Sequence, residues 1–256
     1  MNPIPVPPVL SLLARLFWLL ALALCCVGAF AAPRNIIIMF ADGAAPTQWE
    51  LGRYASRVLR NQPFVVTDRV FRDGTLGLIS THPAGVFITD SAAGASALAT
   101  GFKVQNGAVS VTPDGSRPRT VMEAAKQTGK RIGLVTTAQI YDASPAAFSV
   151  HAKSRGEAQA IVDQYLALEP DVLLGGGRDY FLPRAAGGKR NDGKDILAAF
   201  AAKGYEILRD PKQLRESKAA KLVGLFSDKY LGLEIDRNPA KEPTVADMAR
   251  AALQAL

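Results

Sequence analysis

The sequence VFITDSAAGASALATG, residues 86–101, decides how the chain folds around its candidate site. Its apolar beginning, Val86 to Thr89, predicts a buried strand, and Ala92 to Thr100 predicts a helix of small residues that ends before Gly101. Ser91 then stands at the start of that helix, where free backbone N–H groups and the helix dipole favour an anion. A hydroxyl in this place can act as a nucleophile toward an acidic ester. The alternative is that Ser91 and its preceding residue only cap the helix.

The first 31 residues have the pattern of an export signal. Arg15 provides the positive flank, the run from Leu16 to Ala32 carries no charge, and Ala29-Phe30-Ala31 has the form of a signal-peptidase site. We predict a signal peptide over residues 1–31 and export to the periplasm or the extracellular space. An uncleaved membrane anchor and a lipid anchor on Cys25 are the alternatives, although the apolar run is at the short limit for a bilayer span.

The composition narrows the possible function classes. Both cysteines, Cys25 and Cys26, lie in the predicted signal peptide, so residues 32–256 can form neither a disulfide nor a thiolate zinc site. Cleavage would take the net charge from +7 to +6, because Arg15 is the only charged residue removed. The segment from Lys212 to Lys221 mixes Glu216 with its basic residues, which indicates a solvated helix face. We therefore expect no nucleic acid partner, and no stable membrane span after cleavage.

Short apolar runs alternate with longer amphipathic ones, which predicts an α/β fold with a largely parallel sheet flanked by helices. Gly175-Gly176-Gly177 predicts a tight turn after a strand, since the lysine of a phosphate-binding P-loop is missing. The predicted strands are Asn35 to Ala41, Leu76 to Thr81, Val86 to Thr89, Ile132 to Thr137, Val172 to Leu174 and Gly204 to Arg209. Besides the helix after Ser91, the predicted helices are Thr120 to Gln127, Gly156 to Leu168, Asp195 to Lys203 and Thr244 to Leu256.

Polar side chains follow three of the predicted strands. Asp42 follows the first strand, Asp90 and Ser91 follow the third, and Asp142 and Ser144 follow the strand that begins at Ile132. Ligands of open α/β sheets bind beyond the carboxyl ends of the strands, so we expect these side chains to converge. Carboxylates and hydroxyls together suit hard or borderline divalent metals.

Four motifs resemble those of the alkaline phosphatases, in the family's order and over nearly all of residues 32–256. The first is an apolar run that ends in Asp-Gly, matched by Ile36 to Gly43. The second is a Thr-Asp-Ser-Ala-Ala motif with a later Asn-Gly turn, matched by Thr89 to Ala93 and Asn106-Gly107. The third is an Asp-Ala-Ser-Pro-Ala segment, matched by Asp142 to Ala146, and the fourth is an arginine thirteen residues after its aspartate, matched by Arg155. The resemblance implies an alkaline-phosphatase-like three-layer sandwich.

The resemblance also implies a role for each matched residue. Ser91 would be the nucleophile that becomes a phosphoserine, and Arg155 would hold two phosphate oxygens. Asp42 would bridge a zinc site and a magnesium site. Ser91 would also belong to the zinc site, and Asp142 and Ser144 would belong to the magnesium site. The implied cofactors are Zn²⁺ and Mg²⁺.

Asp90 would help to bind substrate, because the resemblance implies that it orients Arg155 and the helix start. The two histidines, His82 and His151, do not match the family's zinc ligands, and we expect both to be structural. The implied activity is metal-dependent hydrolysis of small phosphate monoesters through a phosphoserine.

The family's later ligand motifs are not found in these 256 residues. They are a Glu-Gly-Gly-Arg-Ile-Asp stretch followed by histidine, an Asp-His pair and a last histidine. We therefore expect residues 32–256 to be the N-terminal part of a longer, C-terminally incomplete domain, whose parent enzyme could form a homodimer. The alternatives are a truncated, non-catalytic phosphate-binding remnant, and a sulfatase or phosphodiesterase on the same scaffold.

Overall fold

The computed structural model describes residues 34–256, which form parts of two compact units, Met1–Ala41 and Asp42–Leu256. The predicted signal peptide, with both cysteines, lies outside the described residues. The second unit contains a four-stranded, fully parallel sheet in the order β1-β2-β4-β3. Its strands are β1 Gly133–Gln139, β2 Val172–Gly176, β3 Glu206–Leu208 and β4 Leu222–Leu225.

Helices precede and follow these strands along the chain. They are α1 Pro46–Arg60, α2 Phe71–Asp73, α3 Ser91–Thr100, α4 Val121–Gln127, α5 Ala143–Ala147, α6 Ala158–Leu168, α7 Ile196–Ala202, α8 Pro211–Glu216 and α9 Val245–Ala255. A π-helical turn occupies Val66–Val70, and short 3₁₀ turns occupy Arg178–Tyr180 and Arg184–Ala186. None of the helices within residues 34–256 combines the length and the apolar character needed to cross a membrane.

The two faces of the sheet pack against different helices. Leu173 and Val223 point into a core formed with α3, α5, α6 and α7. Leu174 and Leu222, one residue away along the same strands, point into a second core formed with α8 and α9. Successive side chains of a strand face opposite sides of the sheet, so both faces are covered at the two central strands, β2 and β4, which are apolar and buried along their whole length. The predicted α/β class, with helices flanking a parallel sheet, is confirmed.

Most of the predicted elements are found, with ends that differ from the predicted ones by at most two residues. α4 and α9 begin directly after the predicted first residues, Thr120 and Thr244, because these cap the helices, and each side chain accepts a hydrogen bond from the third helical N–H. The tight turn predicted for the three consecutive glycines is wrong in part, because Gly175 and Gly176 continue β2. Only Gly177 leaves the strand, with a left-handed φ of 89°.

The buried strand predicted for Val86 to Thr89 is wrong. The segment is a series of bends, and the side chain of Phe87 is 95 % exposed. The Asn106 amide takes the place of a neighbouring strand: its Nδ2 donates to the Ile88 carbonyl at 2.9 Å, and its Oδ1 accepts from the Asp90 N–H at 3.0 Å. A side chain thus pairs the Ile88 carbonyl and the Asp90 N–H, which in a sheet would be paired by a neighbouring strand.

Two further predicted strands are also absent from the described part of the chain. Leu76 to Thr81 has no regular structure, and Lys103 Nζ donates to the carbonyls of Ser80 and His82, at 2.7 and 2.6 Å. Asn35 to Ala41, in the first unit, has no regular secondary structure and is not a strand of the described sheet. A strand requires a partner backbone as well as an apolar sequence, and the sequence pattern reports only the second.

Candidate active site

Ser91 is the first residue of α3, and Asp90 is its cap. Asp90 Oδ1 accepts from the Ala93 N–H at 2.9 Å, and Oδ2 accepts from the Gly107 N–H at 3.0 Å. Capping by Asp90 leaves the Ser91 hydroxyl available, and Ser91 Oγ accepts from Arg155 Nη1 at 3.0 Å. The two explanations of the Asp-Ser pair are therefore compatible, because one residue caps the helix and the other meets the arginine.

The small residues of α3 allow a close approach to α5. Ala92, Ala95 and Ala99 are fully or almost fully buried, at helical spacing, in the same core as Ala143 and Ala147 of α5. Alanine stripes let two helix backbones approach more closely than larger side chains would. The composition of α3 therefore brings its N-terminus, with Ser91, near the N-terminus of α5.

Arg155 connects the two helix starts. Its Nη1 contacts Asp90 Oδ2 at 3.3 Å as well as Ser91, and its Nη2 contacts Asp142 Oδ1 at 2.7 Å. Its backbone N–H donates to the Gly107 carbonyl at 2.7 Å, so the Asn-Gly turn positions both Asp90 and Arg155. Burial alone would lower the pKa of Arg155, but the carboxylates of Asp142 and Asp90 outweigh it and raise the pKa. The guanidinium is permanently charged and faces the hydroxyl.

Asp142 caps α5, directly after the carboxyl end of β1. Its Oδ1 also accepts from the Ala143 N–H at 2.7 Å, and its Oδ2 accepts from the Tyr230 hydroxyl at 3.2 Å. The negative charge of Asp142, followed by partial burial, raises the pKa of Tyr230, so this hydroxyl remains a donor. Sequence reasoning missed Tyr230, because nothing in its neighbourhood predicts β4 or the loop that carries it.

Asp42 and Ser144 form a second pair. Ser144 Oγ donates to Asp42 Oδ2 at 2.8 Å, although the two residues are far apart in sequence. The structure thus brings Asp90, Ser91 and Asp142 together around Arg155, and Asp42 together with Ser144. Within residues 34–256, no group of three or more His, Cys, Asp or Glu side chains is arranged to hold a metal ion.

His151 is buried away from these groups. Its Nδ1 lies 2.8 Å from the Ser110 carbonyl, and its Nε2 lies 3.2 Å from a carboxylate oxygen of Glu123 in α4. These contacts tie α4 to the strand-like segment around Ser110. His82 is exposed, and its carbonyl accepts from Lys103. The contacts of His151 agree with a structural role, whereas the contact of His82 involves only its backbone.

A serine at a helix start beside an arginine is the combination of groups that a tetrahedral oxyanion such as phosphate requires. The sequence profile of the alkaline phosphatases matches residues 33–256. The chain therefore belongs to the alkaline phosphatase family.

Known members of the family are similar over most of this chain. Alkaline phosphatase 3 of Bacillus subtilis is 34 % identical over 231 residues, which are 87 % of this chain and 48 % of that protein. The crystal structure of Thermus thermophilus alkaline phosphatase is 35 % identical, with a TM-score of 0.78 over 84 % of this chain and 45 % of that one. A variant of the TAB5 alkaline phosphatase with Mg bound in its M3 site is 28 % identical, with a TM-score of 0.66 over 88 % and 60 %. The chain spans about half the length of the first two relatives.

Proposed function

We propose that the protein hydrolyses small phosphate monoesters through a phosphoserine at Ser91. The observation that carries this proposal is the 3.0 Å contact between Arg155 Nη1 and Ser91 Oγ at the N-terminus of α3. A phosphate group placed on Ser91 would meet both the arginine and the free N–H groups of the helix start. Membership of the alkaline phosphatase family supports the same reaction.

The chemistry assigns a separate task to each side chain. Ser91 Oγ attacks phosphorus and loses its proton, while the ester oxygen leaves and takes up a proton. A water molecule then attacks the phosphoserine, the bond between Oγ and phosphorus breaks, and Ser91 regains its proton. Arg155 stabilises the phosphate charge in both steps with its two parallel donors. Asp90 holds the arginine and the helix start in register.

The oxygen donors fit magnesium better than zinc. Asp42, Asp142 and Ser144 supply two carboxylates and a hydroxyl, and Mg²⁺ is typically held by one or two carboxylates together with water. Asp42 and Ser91 would supply two ligands to a Zn²⁺ ion, whose imidazole ligands would belong to the later motifs of the family. When bound, the metals lower the pKa of an oxygen that they contact and neutralise phosphate charge. The TAB5 relative, which holds Mg, supports a magnesium site.

We also propose that the protein is exported, on the pattern of residues 1–31, and that the parent enzyme is a homodimer by family resemblance.

Because the later ligand motifs are not within these 256 residues, we expect the 256-residue chain alone to turn over p-nitrophenyl phosphate negligibly, even with added Zn²⁺ and Mg²⁺. Turnover by this chain that disappears in Ser91→Ala would contradict that expectation. Reading the coding DNA downstream of Leu256 tests for the later motifs: an in-frame continuation that carries the Glu, Asp and His motifs supports the phosphatase, and an early stop supports the remnant.

The activity itself is tested on the full-length gene product with Zn²⁺ and Mg²⁺. We expect Ser91→Ala to remove most hydrolysis of p-nitrophenyl phosphate, and Ser116→Ala, at an exposed loop serine, to retain the wild-type rate. Wild-type rates in Ser91→Ala would refute the assignment of the nucleophile. Faster hydrolysis of p-nitrophenyl sulfate or bis(p-nitrophenyl) phosphate would favour a sulfatase or a phosphodiesterase. Phosphate binding without turnover of any of these esters in the full-length product would contradict the proposed phosphatase activity.

A further inference from the structure

The loop after β4 brings a tyrosine to the arginine site, and its backbone is fixed on both sides of that tyrosine. The Lys229 carbonyl accepts from the Gly177 N–H at 2.8 Å, and the Leu231 N–H donates to the Thr137 carbonyl at 2.9 Å. Leu231 is buried in the core beside α9. Tyr230 therefore projects from a loop that is hydrogen-bonded to the ends of β1 and β2.

The close approach of this loop depends on a glycine in β2. A Cβ atom added at Gly176 would lie 1.9 Å from the Lys229 carbonyl oxygen, closer than any side chain can come. The absence of a side chain at Gly176 thus lets the loop that carries Tyr230 lie against the end of β2.

The Tyr230 hydroxyl determines how the Asp142 carboxylate is oriented. Oδ1 accepts from Arg155 and from the Ala143 N–H, and Oδ2 accepts from Tyr230 at 3.2 Å. Rotation of a carboxylate about its Cβ–Cγ bond is broad and soft, so donors on Oδ1 alone leave its plane poorly defined. A second donor on the other oxygen fixes the plane that Arg155 Nη2 meets.

We propose that Tyr230 is a positioning residue for phosphate binding: its hydroxyl orients Asp142, and Asp142 in turn holds the guanidinium of Arg155. The identity of the ligand rests on the proposed function. The contact from Arg155 to Asp142, at 2.7 Å, is shorter than its contact to Asp90, at 3.3 Å, so the orientation of Asp142 is the stronger constraint on the arginine. A preoriented arginine gives up less conformational freedom when it binds phosphate.

The test is a titration of the protein with inorganic phosphate, followed by calorimetry or ³¹P NMR. We expect Tyr230→Phe to weaken phosphate binding about threefold to tenfold, as for loss of one net hydrogen bond. Because the effect passes through the carboxylate, Tyr230→Phe should change the affinity less than about twofold in an Asp142→Ala background. Tyr54→Phe, at an exposed tyrosine of α1, is the matched control and should bind as wild type.

The variants separate this proposal from the proposed function. Equal phosphate affinity in wild type and Arg155→Ala would refute the phosphate site itself. Loss of binding in Arg155→Ala with wild-type binding in Tyr230→Phe would overturn only the role of Tyr230. An undiminished effect of Tyr230→Phe in the Asp142→Ala background would also overturn it, because the tyrosine would then act independently of that carboxylate. The Tyr230 side chain is 56 % exposed and the variant keeps its ring, so we expect an unchanged circular dichroism melt.

Discussion

Replacing Asp90 with alanine removes three interactions at once. The cap bond to the Ala93 N–H contributes about 1 kcal/mol to the free energy of unfolding. The hydrogen bond from the Gly107 N–H to Asp90 contributes about 1 kcal/mol more, because its loss leaves the half-buried Gly107 N–H without a partner. The ion pair with Arg155, between side chains that are 27 % and 35 % exposed, adds less than about 1 kcal/mol. We therefore expect Asp90→Ala to destabilise the protein by about 2 to 3 kcal/mol.

Asp195 offers a matched control, because it caps α7 through a single bond from the Ala198 N–H at 2.9 Å. Asp195→Ala should destabilise the protein by only about 1 kcal/mol. The assay is thermal unfolding followed by circular dichroism, in which about 1 kcal/mol lowers Tm by roughly 2 to 4 °C at this size. Asp90→Ala should thus melt clearly below Asp195→Ala. Equal melting temperatures would show that Asp90 is only a helix cap and does not hold the Asn-Gly turn and Arg155.

Two further predictions concern stability. The Arg190 guanidinium lowers the pKa of Asp192 from its usual value near 3.8 to about 2. The ionised Asp192 carboxylate therefore stabilises the fold fully above about pH 4, and this stabilisation is lost as the pH falls toward 2. The urea midpoint of Asp192→Asn should therefore depend less on pH between 2 and 4 than that of wild type, and parallel pH curves would contradict this. Gly176→Ala should destabilise the protein by about 3 kcal/mol or more, because the added Cβ would meet the Lys229 carbonyl. Gly77→Ala is the control: its added Cβ would have no neighbouring atom within 4 Å, so it should be near neutral in the same denaturation assay. Similar midpoints for the two alanine variants would refute the close approach.

Local sequence predicts the elements whose signals are local. Thr120 and Glu123 form a capping box that starts α4 at the expected place, and Gly101 ends α3 with a left-handed φ of 80°. The run from Val86 to Thr89 misled because its apolar pattern cannot show whether a partner strand exists. Here the side chain of Asn106 pairs the Ile88 carbonyl and the Asp90 N–H instead.

The site was predictable wherever its residues lie next to such local signals. Asp90, Ser91 and Asp142 were expected to converge because predicted strands precede them, and the motif spacing adds Arg155. The strand before Asp142 is present, but the one before Asp90 is not, and Asp90 is positioned instead by the Gly107 N–H and by Arg155. β4 was missed because Leu222–Leu225 is a four-residue apolar run, as compatible with a short buried helix segment as with a strand. Tyr230 was missed for the same reason, since its contact with Asp142 depends on where β4 inserts between β2 and β3.

Covalent phosphorylation of Ser91 is the property that tests the proposed mechanism most directly. The full-length gene product, with Zn²⁺ and Mg²⁺, is incubated with p-nitrophenyl phosphate, quenched in acid and digested for mass spectrometry. We expect the peptide containing Ser91 to gain the mass of one phosphoryl group, and this gain to be absent from Ser91→Ala. Ester hydrolysis with no phosphorylated Ser91 peptide, or with the label on another residue, would contradict the proposed mechanism.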